Sequence, residues 1–224
     1  MKSRVFITGD THGEIDYPKL LKLKKLNLSY NDYLIICGDC GICWSEDTFE
    51  YHKSLYNAIG CTILFVDGNH ENFTMLNSFP LVEYLGALMH QIDKHIFHIM
   101  RGEILTINNK TFLCLGGAIS IDKSIRVPYI SYWPEEEITQ RDIDNALFNL
   151  ERFNNKVDYV ITHCVDTRTI QSYFHYRRDI CTDYLNFVDV ACDYKHWFFG
   201  HYHEDVNIGS KRTCLYQDII ELKE

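Results

Sequence analysis

No run of 18 consecutive apolar residues occurs in the chain, so no segment reads as a membrane-spanning helix. The first residues lack the apolar core and cleavage site of a secretory leader, and a cytoplasmic protein with no membrane partner is expected. Cations are scarce: 22 Lys and Arg stand against 31 Asp and Glu, a formal net charge of -9. Affinity for a nucleic-acid backbone comes from Lys and Arg, so long nucleic acid is not expected as the main partner. Cysteine is plentiful but lacks a pattern. Nine cysteines, odd in number and irregularly spaced, make no disulfide framework and point to reduced thiols. Cys37, Cys40 and Cys43 share the spacing of part of an iron–sulfur run. However, no fourth cysteine lies nearby, Cys37 sits inside an apolar run and Asp39 interrupts the motif, so a cluster is not expected. Repeats, low-complexity segments and domain boundaries are missing as well. Residues 1–224, 46% of them hydrophobic, are therefore expected to form one α/β domain with a substantial core.

What the chain does have is a set of short apolar runs that end in metal-competent side chains. Val5-Phe6-Ile7 is a β-prone run that stops at Gly9 and is followed by Asp10 and His12. Alternate positions at a strand end can aim two ligands at one point. Taken alone, Asp-x-His reads first as an ordinary polar turn after a buried strand. The pattern then recurs four times. Tyr33–Cys37 ends in Gly38-Asp39, and Cys61–Val66 ends in Asp67-Gly68-Asn69-His70-Glu71. Val157–Thr162 ends in His163, and His196–Phe199 ends in Gly200-His201-Tyr202-His203. In open α/β sheets ligands bind at the carboxyl ends of strands, and chance does not place so many such residues there.

These five blocks, in this order, resemble the signature of the calcineurin-like metallophosphoesterases and spread from Asp10 to His203. The resemblance implies an α/β (α+β-like) fold, a two-sheet β-sandwich flanked by helices with the site at strand carboxyl ends. It also implies two divalent ions, Mn foremost, with Fe, Zn, Ni or Co as options. Asp10, His12, Asp39 and His203 would hold one ion. Asp39, Asn69, His163 and His201 would hold the other, with Asp39 bridging, as a carboxylate with two oxygens can. Implied too is hydrolysis of a phosphate ester by a hydroxide between the ions. Asp39 and Asn69 are part of this machinery, and His70 is free to protonate the leaving oxygen. Asp67 and Glu71 are candidates to orient nearby histidines. Many phosphoprotein phosphatases continue the second block as Gly-Asp-x-x-Asp-Arg-Gly, whereas Ile42 and Cys43 stand at those two positions here. A small phosphomonoester or phosphodiester, nucleotides included, is therefore favoured over a phosphoprotein. A non-catalytic scaffold would have eroded ligands, and none is missing.

The phosphate contact must then come from elsewhere, and Arg101, Arg126, His175, Arg177 and Arg178 are the candidates. The last three fall in Val165–Thr182, which leaves directly from His163, carries Tyr173 and Tyr176 and reads as a substrate-facing flap. The remaining expectations concern scaffold. Asp16 would cap an amphipathic helix over Tyr17–Leu28, with Leu20, Leu21, Leu23 and Leu26 inward. Asp47 would cap a helix through Ala58, with Phe49, His52, Leu55 and Tyr56 on its inner side and His52 a surface or half-buried residue. Leu81 to Ser120 reads as antiparallel strands where a second sheet begins, with a hairpin turn at Asn108-Asn109 and with His90, His95 and His98 structural. A helix should start at Pro134 and run to about Phe153, another should cover Asp183–Val190, and a last hairpin should flank Gly209-Ser210. Oligomeric state has no signature.

Overall fold

The apolar runs do become strands, and the strands make two sheets. The computed structural model describes residues 2–223. In chain order come β1 (Val5–Thr8), β2 (Tyr33–Ile36), β3 (Thr62–Phe65), β4 (Leu81–Tyr84), β5 (Ala87–Asp93) and β6 (Ile96–Ile99). Next are β7 (Glu103–Ile107), β8 (Lys110–Leu115), β9 (Lys156–Thr162), β10 (Asp193–Phe199), β11 (Val206–Ile208), β12 (Arg212–Cys214) and β13 (Ile220–Glu221). The first sheet has the order β13-β1-β2-β3-β6-β5-β4 and the second β11-β12-β10-β9-β8-β7. Each has four parallel strands at its centre and antiparallel strands at its margins.

The central strands are buried on both faces, which is why they read as continuous apolar runs rather than as alternation. One face of each sheet meets the other sheet through Ile7, Ile35, Leu64, Phe112, Ile161 and Phe198. The outer face of the first sheet packs Leu34, Ile36 and Phe65 against Leu20, Leu23 and Tyr56. The outer face of the second packs Leu113, Val160 and Trp197 against Ile143, Ala146 and Leu150. The result is a two-sheet sandwich with helices on both outer faces. No helix among the described residues is long and apolar enough to cross a membrane.

Helix boundaries depart from expectation in instructive ways. Tyr17–Leu26 is a 3-10 helix, with Tyr17, Leu20 and Leu23 buried at its three-residue period and Leu21 exposed. Asp16 makes no cap there. Helix α1 (Glu46–Asn57) is capped by Ser45, not Asp47, and it buries His52. A short turn, α2 (Phe73–Leu76), follows Asn72. The antiparallel region belongs to both sheets: β4, β5 and β6 finish the first, and the second starts only after Gly102. Asn108 and Asn109 both take positive φ, 52° and 60°, as a tight hairpin turn requires. The helix expected from Pro134 is interrupted. Pro134–Glu136 is a single 3-10 turn, and α3 (Gln140–Arg152) starts afresh from a Thr139/Asp142 capping box. Val165–Thr182 contains α4 (Thr167–Thr169) and a π turn (Ile170–Phe174), followed by an extended stretch. The helix expected over Asp183–Val190 is two short ones, α5 (Ile180–Tyr184) and α6 (Phe187–Ala191).

Candidate metal centre

The parallel strands of both sheets point their carboxyl ends at one edge of the sandwich. Asp10 and His12 follow β1, Asp39 follows β2, Asn69 and His70 follow β3, His163 follows β9, and His201 and His203 follow β10. Each loop must turn sharply to bring its side chain back over the edge. Asp10, His12, Asp39, His201 and His203 accordingly adopt positive φ, between 29° and 70°, a conformation that costs a non-glycine residue roughly 1–3 kcal/mol. Two glycines permit the close approach of neighbouring loops. A Cβ on Gly68 would lie 2.0 Å from Asp39 Oδ1, and one on Gly200 would lie 2.3 Å from Asp10 Oδ2.

Asp39 is at the centre. Its Oδ2 lies 3.3 Å from His12 Nε2 and 3.3 Å from His163 Nε2, while Oδ1 accepts a 2.7 Å hydrogen bond from the His70 amide. Ligand atoms of Asp10, His12 and His203 lie within 4.8 Å of one another, as do those of Asp10, Asp39 and His163 and those of His12, Asp39 and His70. The rest of the site orients these groups. His12 Nδ1 donates to Asp16 at 2.7 Å, and His163 Nδ1 donates to the Cys37 carbonyl at 2.8 Å, so each presents Nε2 inward. The Asn69 amide donates to Ser120 Oγ at 3.1 Å, which turns its Oδ1 towards His163 Nε2, 3.2 Å away. Ser120 in turn donates to the buried Glu136 at 2.7 Å. Tyr216 stacks on His203 with ring centroids 4.4 Å apart. Sequence reasoning did not single out Ser120, Glu136, Asp16 or Tyr216 for the site.

The electrostatics are those of a site built around positive charge. Burial, reinforced by the Asp39 charge, pushes the Asp10 carboxyl up to about 7. Asp39 stays well below the ordinary carboxylate value: burial works against ionisation, but His163 and His12 outweigh it. Burial also opposes charge on His12 and His163, yet the carboxylates, Asp39 foremost, carry each up to about 9. His201 is driven down to about 3 by burial and by the neighbouring His163 charge, which together outweigh the pull of Asp39. Two buried carboxylates with imidazole nitrogens and an amide oxygen, and no thiolate, form a donor set that suits a pair of hard-to-borderline divalent ions. The cysteines are elsewhere: all nine are buried and unpaired.

A cleft of about 590 Å³ opens over this centre, bounded by Asn69, His70, His201 and His203 and by Arg126, Tyr176 and Arg177. Arg126 Nη1 lies 3.2 Å from His70 Nδ1, and its Nε pairs with Asp122 at 2.7 Å. The other expected phosphate contacts are corrected by the structure. Arg101 is spent on Asp67 at 2.9 Å and on the carbonyls of Glu135 and Glu137 at 2.8 Å, and it lines a different hollow. Arg178 pairs with Asp183 at 3.0 Å. His175 is exposed, at a left-handed backbone position, and does not line the cleft. Glu71 orients no histidine; its Oε1 accepts the Cys40 amide at 2.7 Å and so holds the loop that carries Asp39. Asp67 does hold a histidine, His98, at 3.0 Å, and His98 lies 3.1 Å from His90, all in scaffold.

Residues 3–205 match the family model of the calcineurin-like phosphoesterases. The chain belongs to that family. Membership places this phosphoesterase-family protein among metal-dependent hydrolases. No curated protein matches it. Among solved structures, phosphopantetheinyl hydrolase from Mycobacterium tuberculosis superposes with a TM-score of 0.53 at 14% identity, covering 96% of this chain and 90% of that one. The protein TT1561 of Thermus thermophilus gives a TM-score of 0.53 at 7% identity, with 99% and 98% covered. At those identities the likeness is one of fold.

Proposed function

We propose that this protein hydrolyses a small phosphate ester, monoester or diester and nucleotides included, with two divalent ions held by Asp10, His12, Asp39, Asn69, His163, His201 and His203. The observation that carries this reading is the position of Asp39 Oδ2, equally far, 3.3 Å, from the inward nitrogens of His12 and His163. A carboxylate so placed can serve both ions. Bound there, such ions supply Lewis acidity and a water acidified for in-line attack. The chain's own residues do the rest. His70, on the cleft side of Asp39 and with Arg126 against its Nδ1, is placed to give a proton or a hydrogen bond to the leaving oxygen. Arg177 and Tyr176 stand where a second, non-reacting part of the substrate would lie.

Two observations favour a small ester over a phosphoprotein. Ile42 and Cys43 are fully buried, so the loop after Asp39 offers no cation to a phosphopeptide. The cleft is also bounded by the Val165–Thr182 segment on one side and the 121–132 loop on the other. Mn is the first metal to try, a cytoplasmic location suits nine unpaired cysteines, and one catalytic domain is the simplest organisation, because both sheets supply ligands. The test is metal analysis followed by a panel of nucleotides, cyclic nucleotides, nitrophenyl mono- and diesters and phosphopeptides with the Mn-loaded protein. Two ions per chain and turnover of a small ester are expected. Turnover of phosphopeptides alone, or no bound metal, would overturn the proposal.

A further inference from the structure

A second hollow besides the cleft reaches the candidate centre. On the far side of His12 and His70 lies a second pocket of about 300 Å³, and these two histidines form its inner wall. Trp44, Ile15, Gly41 and Thr48 also line it. The Trp44 ring sits 6.2 Å from that of His70 and is braced edge-on against Trp133 at 5.8 Å, so it stands as a fixed wall. Ile15 is 75% exposed although apolar. Its one carboxylate is Glu14, which is paired with His52. The two hollows differ in character. Arg126 and Arg177 line the cleft together with Asp122 and Asp179, whereas the second pocket has no Lys or Arg and joins the Trp44 and Ile15 carbon surface to imidazoles, the Thr48 hydroxyl and one carboxylate.

We propose that this second pocket is a leaving-group subsite that takes a flat, uncharged aromatic group attached to the reacting phosphorus through the ester oxygen. The proposal rests on the reading of the centre as a phosphoester site. His70 is shared between that centre and the pocket, so a group seated against Trp44 brings its ester oxygen to the histidine placed to protonate it. A carboxylate at the rim disfavours an anionic leaving group there. The arginine-lined cleft is left for whatever charged part the ester carries on its other arm. In a phosphodiester the two arms would occupy the two hollows.

Binding to the metal-loaded protein tests this without any chemical step. Methylphosphonate, benzylphosphonate and 4-carboxybenzylphosphonate are titrated by calorimetry. Benzylphosphonate is expected to bind about tenfold more tightly than methylphosphonate, equivalent to roughly 1.4 kcal/mol. The gain should be lost in Trp44→Ala and retained in Trp44→Phe. Ile15→Ser, at an exposed position that leaves the core intact, should reduce it. The carboxybenzyl compound should lose the gain in the native protein and recover part of it in Glu14→Gln. If methylphosphonate binds and benzylphosphonate gains nothing, the subsite is refuted while the centre stands. If no phosphonate binds to metal-loaded protein, the reading of the centre fails first, and the subsite with it. A gain that survives Trp44→Ala and Ile15→Ser also overturns the proposal, because the ring would then lie in the arginine-lined cleft.

Discussion

Replacing Asp39 by Asn changes one oxygen for an amide and removes one charge, yet its effect should reach both ions. The main chain at position 39 is unaffected, because its carbonyl still accepts the Thr11 and His12 amides at 3.0 and 2.9 Å. The retained Oδ1 can still take the His70 amide. What is lost is Oδ2, the atom 3.3 Å from both His12 and His163. Each ion then faces an NH2 group where it had an anionic oxygen. A unit charge about 4 Å away at an effective dielectric near 20 is worth about 4 kcal/mol. Even half of that is roughly a thirtyfold loss of affinity per ion. Because the same atom is lost to both sites, the two losses should appear together. Metal analysis after gel filtration should find well under two ions per chain, with turnover lost in parallel and the fold intact by circular dichroism. Two ions bound with normal turnover would refute the bridging assignment. One ion retained at full affinity would show that Asp39 serves a single site.

Other perturbations separate the remaining roles. His70→Ala should keep its metal and lose turnover by ~10²–10⁴, less for esters with good leaving groups; equal loss across leaving groups would exclude the acid role. Arg177→Ala should raise KM for the preferred substrate far more than for a minimal nitrophenyl ester, whereas Arg178→Ala, whose side chain is paired with Asp183, should do neither. The EDTA-stripped protein should lose thermal stability as pH rises from 6.5 to 8. His12 and His163 are raised to about 9 in the folded state, so the stability they contribute is complete below their unfolded value near 6.5 and is lost as pH climbs towards 9. At about 1 kcal/mol for each histidine, Tm should drop by several degrees, and the rescue by added Mn should grow over the same range, because ligands must shed protons to bind it. A flat Tm profile would refute that assignment of charge.

The candidate ligand positions stand out because they punctuate the strongest sequence signal, an apolar run that stops. Strands buried on both faces read plainly, and each central parallel strand that carries a ligand ends within a few residues of it. What was hard to read depends on long-range pairing or on competing local caps. β13, only two residues long, exists because β1 needs a neighbour, and nothing in Ile220-Glu221 announces it. Glu136 looks like a first-turn helix carboxylate, but its side chain turns inward to Ser120, and the helix restarts at the stronger capping box of Thr139 and Asp142. Asp16 sits where a helix cap would, yet it is drawn to His12 and Tyr216 at 2.7 and 2.9 Å. The arginines could not be sorted by sequence, because Arg101 and Arg126 differ only in which carboxylate folding brings near: Asp67 beneath the sheet edge, or Asp122 at the mouth of the cleft.

That sorting also explains how a net-negative chain can present a site for an anion. The cations nearest the centre do not compete with the metals for its carboxylates. Lys19 is turned under the first loop, donating to the Gly9 and Tyr216 carbonyls and, at 2.7 Å, to that of Asp10, so its direct bonds are to backbone while its charge acts on Asp10 and Asp16 through space. Arg101 neutralises Asp67, the carboxylate beside the Asn69 loop that serves no ligand role. Asp10 and Asp39 are thus left buried with histidines as the main counter-charge, the Lys19 ammonium adding to it at Asp10, and histidines give up their protons when a metal arrives. Five of the candidate ligands held at strained backbone angles point the same way, since strain of that size persists only where the surrounding packing over-determines it. The two sheets supply that packing. Their shared core, which includes Ile7, Cys37, Val66 and Ile161 close in sequence to those loops, holds the candidate ligands in place through the stability of the sandwich itself.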